Sequence, residues 1–209
     1  MSFSFIRNLF HVTEKIGFDN NEIEEVVKHW GALPAILKQY YQELGKHKII
    51  NRSQNILRRP HDLIDAGEYL IFYIENQNCA EWGIKKEDLM KDNPAVYCRK
   101  FDGDFSPESN TLTEFLNAMS LLQAASWGLS HASDIFMITE EQAKQIRNRF
   151  TKKPYELKQW MEVSFYGNHD DEVIMLIVND DYDLIFASED ERHYKQMEEF
   201  MKTLNLEEY

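Results

Sequence analysis

Two histidine–aspartate pairs are the first places in this chain to look for chemistry. His61-Asp62 and His169-Asp170 carry the residue types with which metal-dependent phosphohydrolases hold their ions. That chemistry needs several such residues fixed on helices, and both pairs fall in predicted loops. His169 stands in Gly167-Asn-His-Asp-Asp171, where Asn, Asp and His all tolerate left-handed backbone, so the run predicts a hairpin turn. Asp180, Asp181 and Asp183 have the beginnings of a calcium loop, but the glycine and closing glutamate are missing and the run enters a strand. Solvated carboxylates on a tight turn are expected there. Glu75, Glu81, Asp102 and Asp104 offer carboxylate pairs of the kind glycosidases use, a signal of little weight among 36 acidic residues.

The remaining search for catalytic motifs is empty. No dinucleotide glycine motif, phosphate loop, Gly-x-Ser-x-Gly or His-Glu-x-x-His occurs. Eight glycines leave little material for loops that approach a cofactor closely. Cys79 and Cys98 form no Cys-x-x-Cys pair, and two cysteines are too few for a disulfide framework; both are expected as free, semi-buried thiols in a cytoplasmic protein. The expectation is a non-enzymatic protein with no catalytic residue, metal or cofactor.

Charge says more than motifs. The net charge is −13, and residues 162–209 hold fourteen acidic residues against three basic ones, a balance of −11. Such a field repels phosphate backbones and anionic lipid, and it speeds the approach of a cationic partner. Neither direct nucleic-acid binding nor membrane attachment is expected. Plain solubility would also account for the acids. The basic stretch from Lys46 to His61 lacks the glycines that cradle phosphate and is expected as a solvated connector.

The elements that must position these residues are legible in outline. Three short helices open the chain: one with Phe3, Ile6 and Phe10 on a face, a second from Asn20 or Asn21 to Gly31, and a third with Pro34 in its first turn and Gly45 at its end. Tyr69–Ile74 and Cys79–Ile84 predict a hairpin around Glu75-Asn-Gln-Asn78, and Ala95–Arg99 a third strand. Phe101–Asn110 reads as a loop. Capping boxes at Thr111/Glu114 and Thr139/Gln142 start two middle helices. Trp160–Tyr166, Val173–Val178 and the strand of Tyr182, Leu184 and Phe186 predict a β-meander, and Ser188 with Glu191 caps a closing helix. Val173–Val178, the longest apolar run, is far too short to span a membrane, and Met1–Phe10 shows no signal-peptide cleavage site. Strand clusters separated by helices, without βαβ alternation, predict an α+β fold. With 43% hydrophobic residues and no low-complexity linker, one domain is expected, residues 1–30 being a helical extension to a 31–209 core.

Residues 33–97 carry a resemblance. Leu33-Pro34, Leu37, Tyr40-Tyr41 and Gly45 come first; Tyr69-Leu-Ile-Phe-Tyr73, Glu75-Asn-Gln and Trp82-Gly-Ile follow; Asp88-Leu89 and Asp92-Asn-Pro-Ala-Val-Tyr97 close the series. Their order and spacing resemble the SUKH superfamily of bacterial immunity proteins and the fungal cell-wall-assembly regulator. A single proline, Pro94, stands where members often show two. The resemblance implies a SUKH-like mixed or antiparallel sheet. It also implies a cytosolic antidote that binds a secreted polymorphic toxin, many of which are nucleases. A cationic toxin domain suits the acidic segment, with Asp170, Asp171, Glu172, Asp180, Asp181 and Asp183 as candidate contacts and Trp82 and Tyr97 as apolar anchors. A cytosolic scaffold or regulatory adaptor of the same fold is the alternative, and a metal-dependent hydrolase using His169 a third reading.

Overall fold

The structure, a computed structural model, describes residues 3–101, 103–178 and 182–208, with the backbone alone for residues 207 and 208. The chain forms two compact units, Met1–Thr13 with Asn117–Tyr209, and Glu14–Leu116. Helix α1 (Ser4–Leu9) belongs to the first of these.

The 14–116 unit opens with α2 (Asn20–Trp30). The Glu22 side chain accepts the Asp19 N–H at 2.9 Å, and the helix stops at Gly31, whose φ of 80° suits a residue without Cβ. Helix α3 (Ala35–Glu43) follows Pro34, which lies just outside the first turn. The stretch from Lys46 to His61 is more structured than expected. It contains α4 (Lys48–Arg52), strand β1 (Ile56–Leu57) and a tight turn at Pro60–Asp62. The anchor is Asn51, buried in a polar segment: its amide donates to the Leu44 and His47 carbonyls at 2.7 and 3.0 Å, and its Oδ1 accepts the Tyr40 hydroxyl at 2.8 Å.

Strands β2 (Ile64–Ala66), β3 (Tyr69–Ile74), β4 (Ala80–Lys85), β5 (Val96–Lys100) and β6 (Ser106–Ser109) complete an antiparallel sheet ordered β1-β3-β4-β5-β6, with β2 along β3. The β3–β4 hairpin is the predicted one. Strand β6 lies in the stretch expected as a loop, pairing with β5 despite Pro107 because an edge strand has one row of donors to spare. Phe72, Tyr73, Trp82 and Phe115 pack with ring centroids 5.4–6.3 Å apart.

Helix α5 (Leu112–Gln123) begins at the expected box, with Thr111 and Glu114 exchanging hydrogen bonds at 3.2 Å. It runs into a wide turn at Ala124–Gly128, where Trp127 has φ 61°. Then come β7 (His131–Ala132), β8 (Phe136–Ile138), α6 (Glu140–Arg149) and a strand the sequence did not announce, β9 (Lys152–Leu157). The predicted meander is β10 (Val163–Tyr166), β11 (Glu172–Val178) and β12 (Tyr182–Ser188); α7 (Glu191–Lys202) and β13 (Glu207–Glu208) close the chain. This second antiparallel sheet is ordered β13-β8-β12-β11-β10-β9, with β7 along β12. Its core joins Ile174 and Leu176 of β11 and Leu184 and Phe186 of β12 to Ile146, Met197 and Met201. The fold is α+β with two antiparallel sheets. Among the described residues, no helix is long and apolar enough to cross a membrane.

Candidate functional site

Among the described residues, a gathering of titratable side chains lies where the β10–β11 turn meets the first turn of α7, within the unit that holds residues 1–13. Gly167 starts that turn. A Cβ there would stand 3.0 Å from the Glu172 carbonyl oxygen and the Lys153 side chain, so the tight return of the chain depends on glycine. Glu172, 2% exposed, folds its carboxylate back over the turn, and its Oε1 accepts the N–H groups of Asn168 and His169 (3.3 Å to the latter). Asn168 Oδ1 accepts the N–H and the hydroxyl of Thr151 at 3.1 and 3.2 Å. Lys153 Nζ donates to the His169 carbonyl at 2.6 Å. Burial pushes the Lys153 amine below its ordinary value, and the carboxylates of Glu172, Asp170 and Asp171 work against that shift.

Asp171 ties this turn to its surroundings. It is 8% exposed; Oδ1 lies 2.8 Å from His193 Nδ1, and Oδ2 lies 3.4 Å from His11 Nε2. Its carbonyl accepts the Ser188 hydroxyl at 3.0 Å and the Glu189 N–H at 2.9 Å. Helix α7 is capped by Asp190 rather than Ser188: Asp190 Oδ1 accepts the Arg192 N–H at 2.8 Å, while Ser188 Oγ accepts the Asp190 N–H at 3.2 Å. The cap projects His193 over the turn, where its ring stacks on His169 with centroids 3.8 Å apart and planes 4° from parallel. His169, Glu172 and His193 each offer a ligand atom within 4.8 Å of the others, and Asp171, Asp190 and His193 do the same.

The expected contact residues fare unequally. Asp171 and Glu172 are spent inside the protein, because a buried carboxylate must be paired or hydrogen-bonded. Asp170 is exposed, accepting the Asn8 side-chain amide at 3.3 Å, and Asp183 on β12 is half-buried. Asp180 and Asp181 lie outside the described residues. Trp82 is 0% exposed and donates from Nε1 to the buried Glu108 at 3.0 Å, so it is a core residue and no anchor. Tyr97 is half-buried, edge-on to Tyr69, with Lys85 Nζ 5.4 Å from its ring centre.

The other chemical candidates are also absorbed locally. His61 Nε2 faces its neighbour Asp62 at 3.7 Å. Glu75 Oε2 accepts the N–H groups of Gln77 and Cys79 at 2.6 and 3.2 Å, and Glu81 pairs with Arg99. Asp102 lies outside the described residues, and Asp104 is exposed. Both cysteines are free, and burial raises the Cys98 thiol far above its usual value. No motif or spacing in the sequence singles out His11, His193 or the exposed Trp127, which is 56% accessible. Comparison with protein-family models, with curated proteins and with solved structures gives no match.

Proposed function

We propose that this chain is a non-enzymatic protein-binding domain, an immunity protein that neutralises a cationic toxin domain by forming a stoichiometric complex in the cytoplasm. The observation that carries this reading is the −11 balance of residues 162–209. All three basic residues of that segment are already taken within or beside α7, as Arg192–Asp190, Lys195–Glu191 and Lys202–Glu198. A nuclease toxin presents cations to nucleic acid, and an acidic surface occludes them by complementarity.

The resemblance over residues 33–97 supplies the functional class. The contact residues in this reading are Asp170, before the start of β11, and Asp183, which pairs with Ile177 near its other end, with Asp180 and Asp181 from the sequence. Trp127 replaces Trp82 as the apolar anchor, since the turn that carries it packs beside β11 and β12 and leaves its ring in solvent. Tyr97 remains a second candidate.

The test mixes the purified chain with the toxic C-terminal domain of a large secreted protein encoded beside it. A one-to-one complex that abolishes the domain's activity is expected. No complex with that domain, together with a stable complex with another host protein, would replace the antidote by the adaptor. Turnover of a phosphoester that is lost in His169→Ala would replace both by the hydrolase.

A further inference from the structure

Nothing in the binding function just described uses the three histidines gathered at the β10–β11 turn. His193 is the best-positioned of them. A carboxylate only accepts, so His193 donates to it from Nδ1 and has Nε2 left to face a metal, the arrangement in which histidine binds one. His11 on the other Asp171 oxygen holds that carboxylate in place. Glu172 uses Oε1 for the turn amides, and Oε2 carries no protein hydrogen bond among the described residues. Neither ring nitrogen of the exposed His169 has a protein hydrogen-bond partner among the described residues.

We propose that His169, Glu172 and His193 bind one divalent cation of the zinc class, with Asp171 and His11 orienting His193 from behind. Two imidazole nitrogens and one carboxylate oxygen are a donor set that selects borderline ions such as zinc over calcium or magnesium. One donor atom of each residue now lies within 4.8 Å of one from each of the others, and the three atoms that hold the ion must come to about 3.3 Å to surround it at Zn–N and Zn–O distances of about 2.0–2.1 Å. The two rings are parallel, so they cannot both aim a nitrogen at one point as they stand. His169 is exposed, so its ring can leave the stack by rotating about its side-chain bonds, whereas His193 is held by Asp171 and Glu172 by the turn amides. The competing trio, Asp171, Asp190 and His193, is poorer: Asp190 already accepts the Arg192 backbone N–H and its guanidinium, at 2.8–3.3 Å. Water would complete the coordination on the solvent side, where His169 lies. The bound ion would clamp the hairpin turn onto the start of α7.

The experiment titrates the full chain, freed of metal by a chelator, with Zn²⁺ by calorimetry and with Co²⁺ by visible absorption. One site per chain is expected, with Co²⁺ bands typical of four or five ligands. His169→Ala, which removes an exposed ring, should abolish binding, as should His193→Ala; His61→Ala should leave it unchanged. Asp171→Asn should weaken affinity about 10–100-fold through the ligand it orients. If the wild-type chain binds neither ion at one-to-one stoichiometry, or if binding survives His169→Ala, the site does not exist. Should His193→Ala fail to fold, His169→Ala alone decides, with circular dichroism confirming its structure. The partner-binding assay is read separately, so either proposal can fail without the other.

Discussion

Two hairpin turns in this protein are closed by the same device and keep different company. Glu75 in the β3–β4 turn and Glu172 in the β10–β11 turn are each 2% exposed, and each folds a carboxylate oxygen back onto two N–H groups of its own turn. Around Glu75 the third partner is the thiol of Cys79, at 3.1 Å, and the arrangement is a closed local cap. Around Glu172 stand His169, His193, Asp171, His11 and Lys153, brought in from a neighbouring strand, a helix start and the N-terminal segment. A buried turn carboxylate is therefore no sign of a site by itself. What distinguishes a site is the company that tertiary structure supplies.

The largest effect tests the shared part of this comparison. Glu75→Ala and Glu172→Ala each strand two turn amides and are expected to cost about 2–3 kcal/mol in urea unfolding. Zinc then separates the two turns. At a free concentration about a hundredfold above its dissociation constant, it should return about 2.7 kcal/mol to Glu75→Ala and nothing to Glu172→Ala. Equal rescue of both variants would erase the distinction.

A smaller effect concerns the helix start that delivers His193. The Arg192 guanidinium, followed by its backbone N–H, holds the Asp190 carboxyl well below the usual range. A depressed carboxylate contributes stability that is present above its unfolded value near 3.8 and is lost as pH falls through the folded one. Thermal unfolding of Asp190→Asn should therefore show a flatter acid limb below pH 4 than the wild type, with the two chains differing most at neutral pH. Parallel acid limbs would mean that the cap charge plays no part in seating α7.

The fold was far easier to read from sequence than the site. Local signals sufficed for the Thr111/Glu114 and Thr139/Gln142 caps, for Gly31 and for the β3–β4 hairpin, because each is written within a few residues. Strand β9 was missed because Lys152-Lys-Pro-Tyr-Glu-Leu157 mixes charge with a proline and is ordered by its neighbour β10. Helix α4 was missed because one buried amide, that of Asn51, organises an otherwise basic run. Trp82 was expected as an anchor, yet Ala80, Trp82 and Ile84 are all buried on β4, and that periodicity outranks any general preference of tryptophan for interfaces. His169 and His193 are separated by β11, β12 and a cap, and no periodicity links them. Only the register of β11 on β12, with Glu172 opposite Ser188, places the turn beside the start of α7.

If the acidic segment draws in a cationic toxin domain as proposed, the association rate as a function of salt reads that attraction most directly. Exposed charges are screened beyond about 8 Å at physiological ionic strength. Stopped-flow mixing of the chain with the proposed toxin domain should give a rate that falls steeply as salt rises, with Asp170→Asn/Asp183→Asn slower than wild type at low salt and converging on it at high salt. A rate indifferent to salt, or to those two substitutions at low salt, would contradict it.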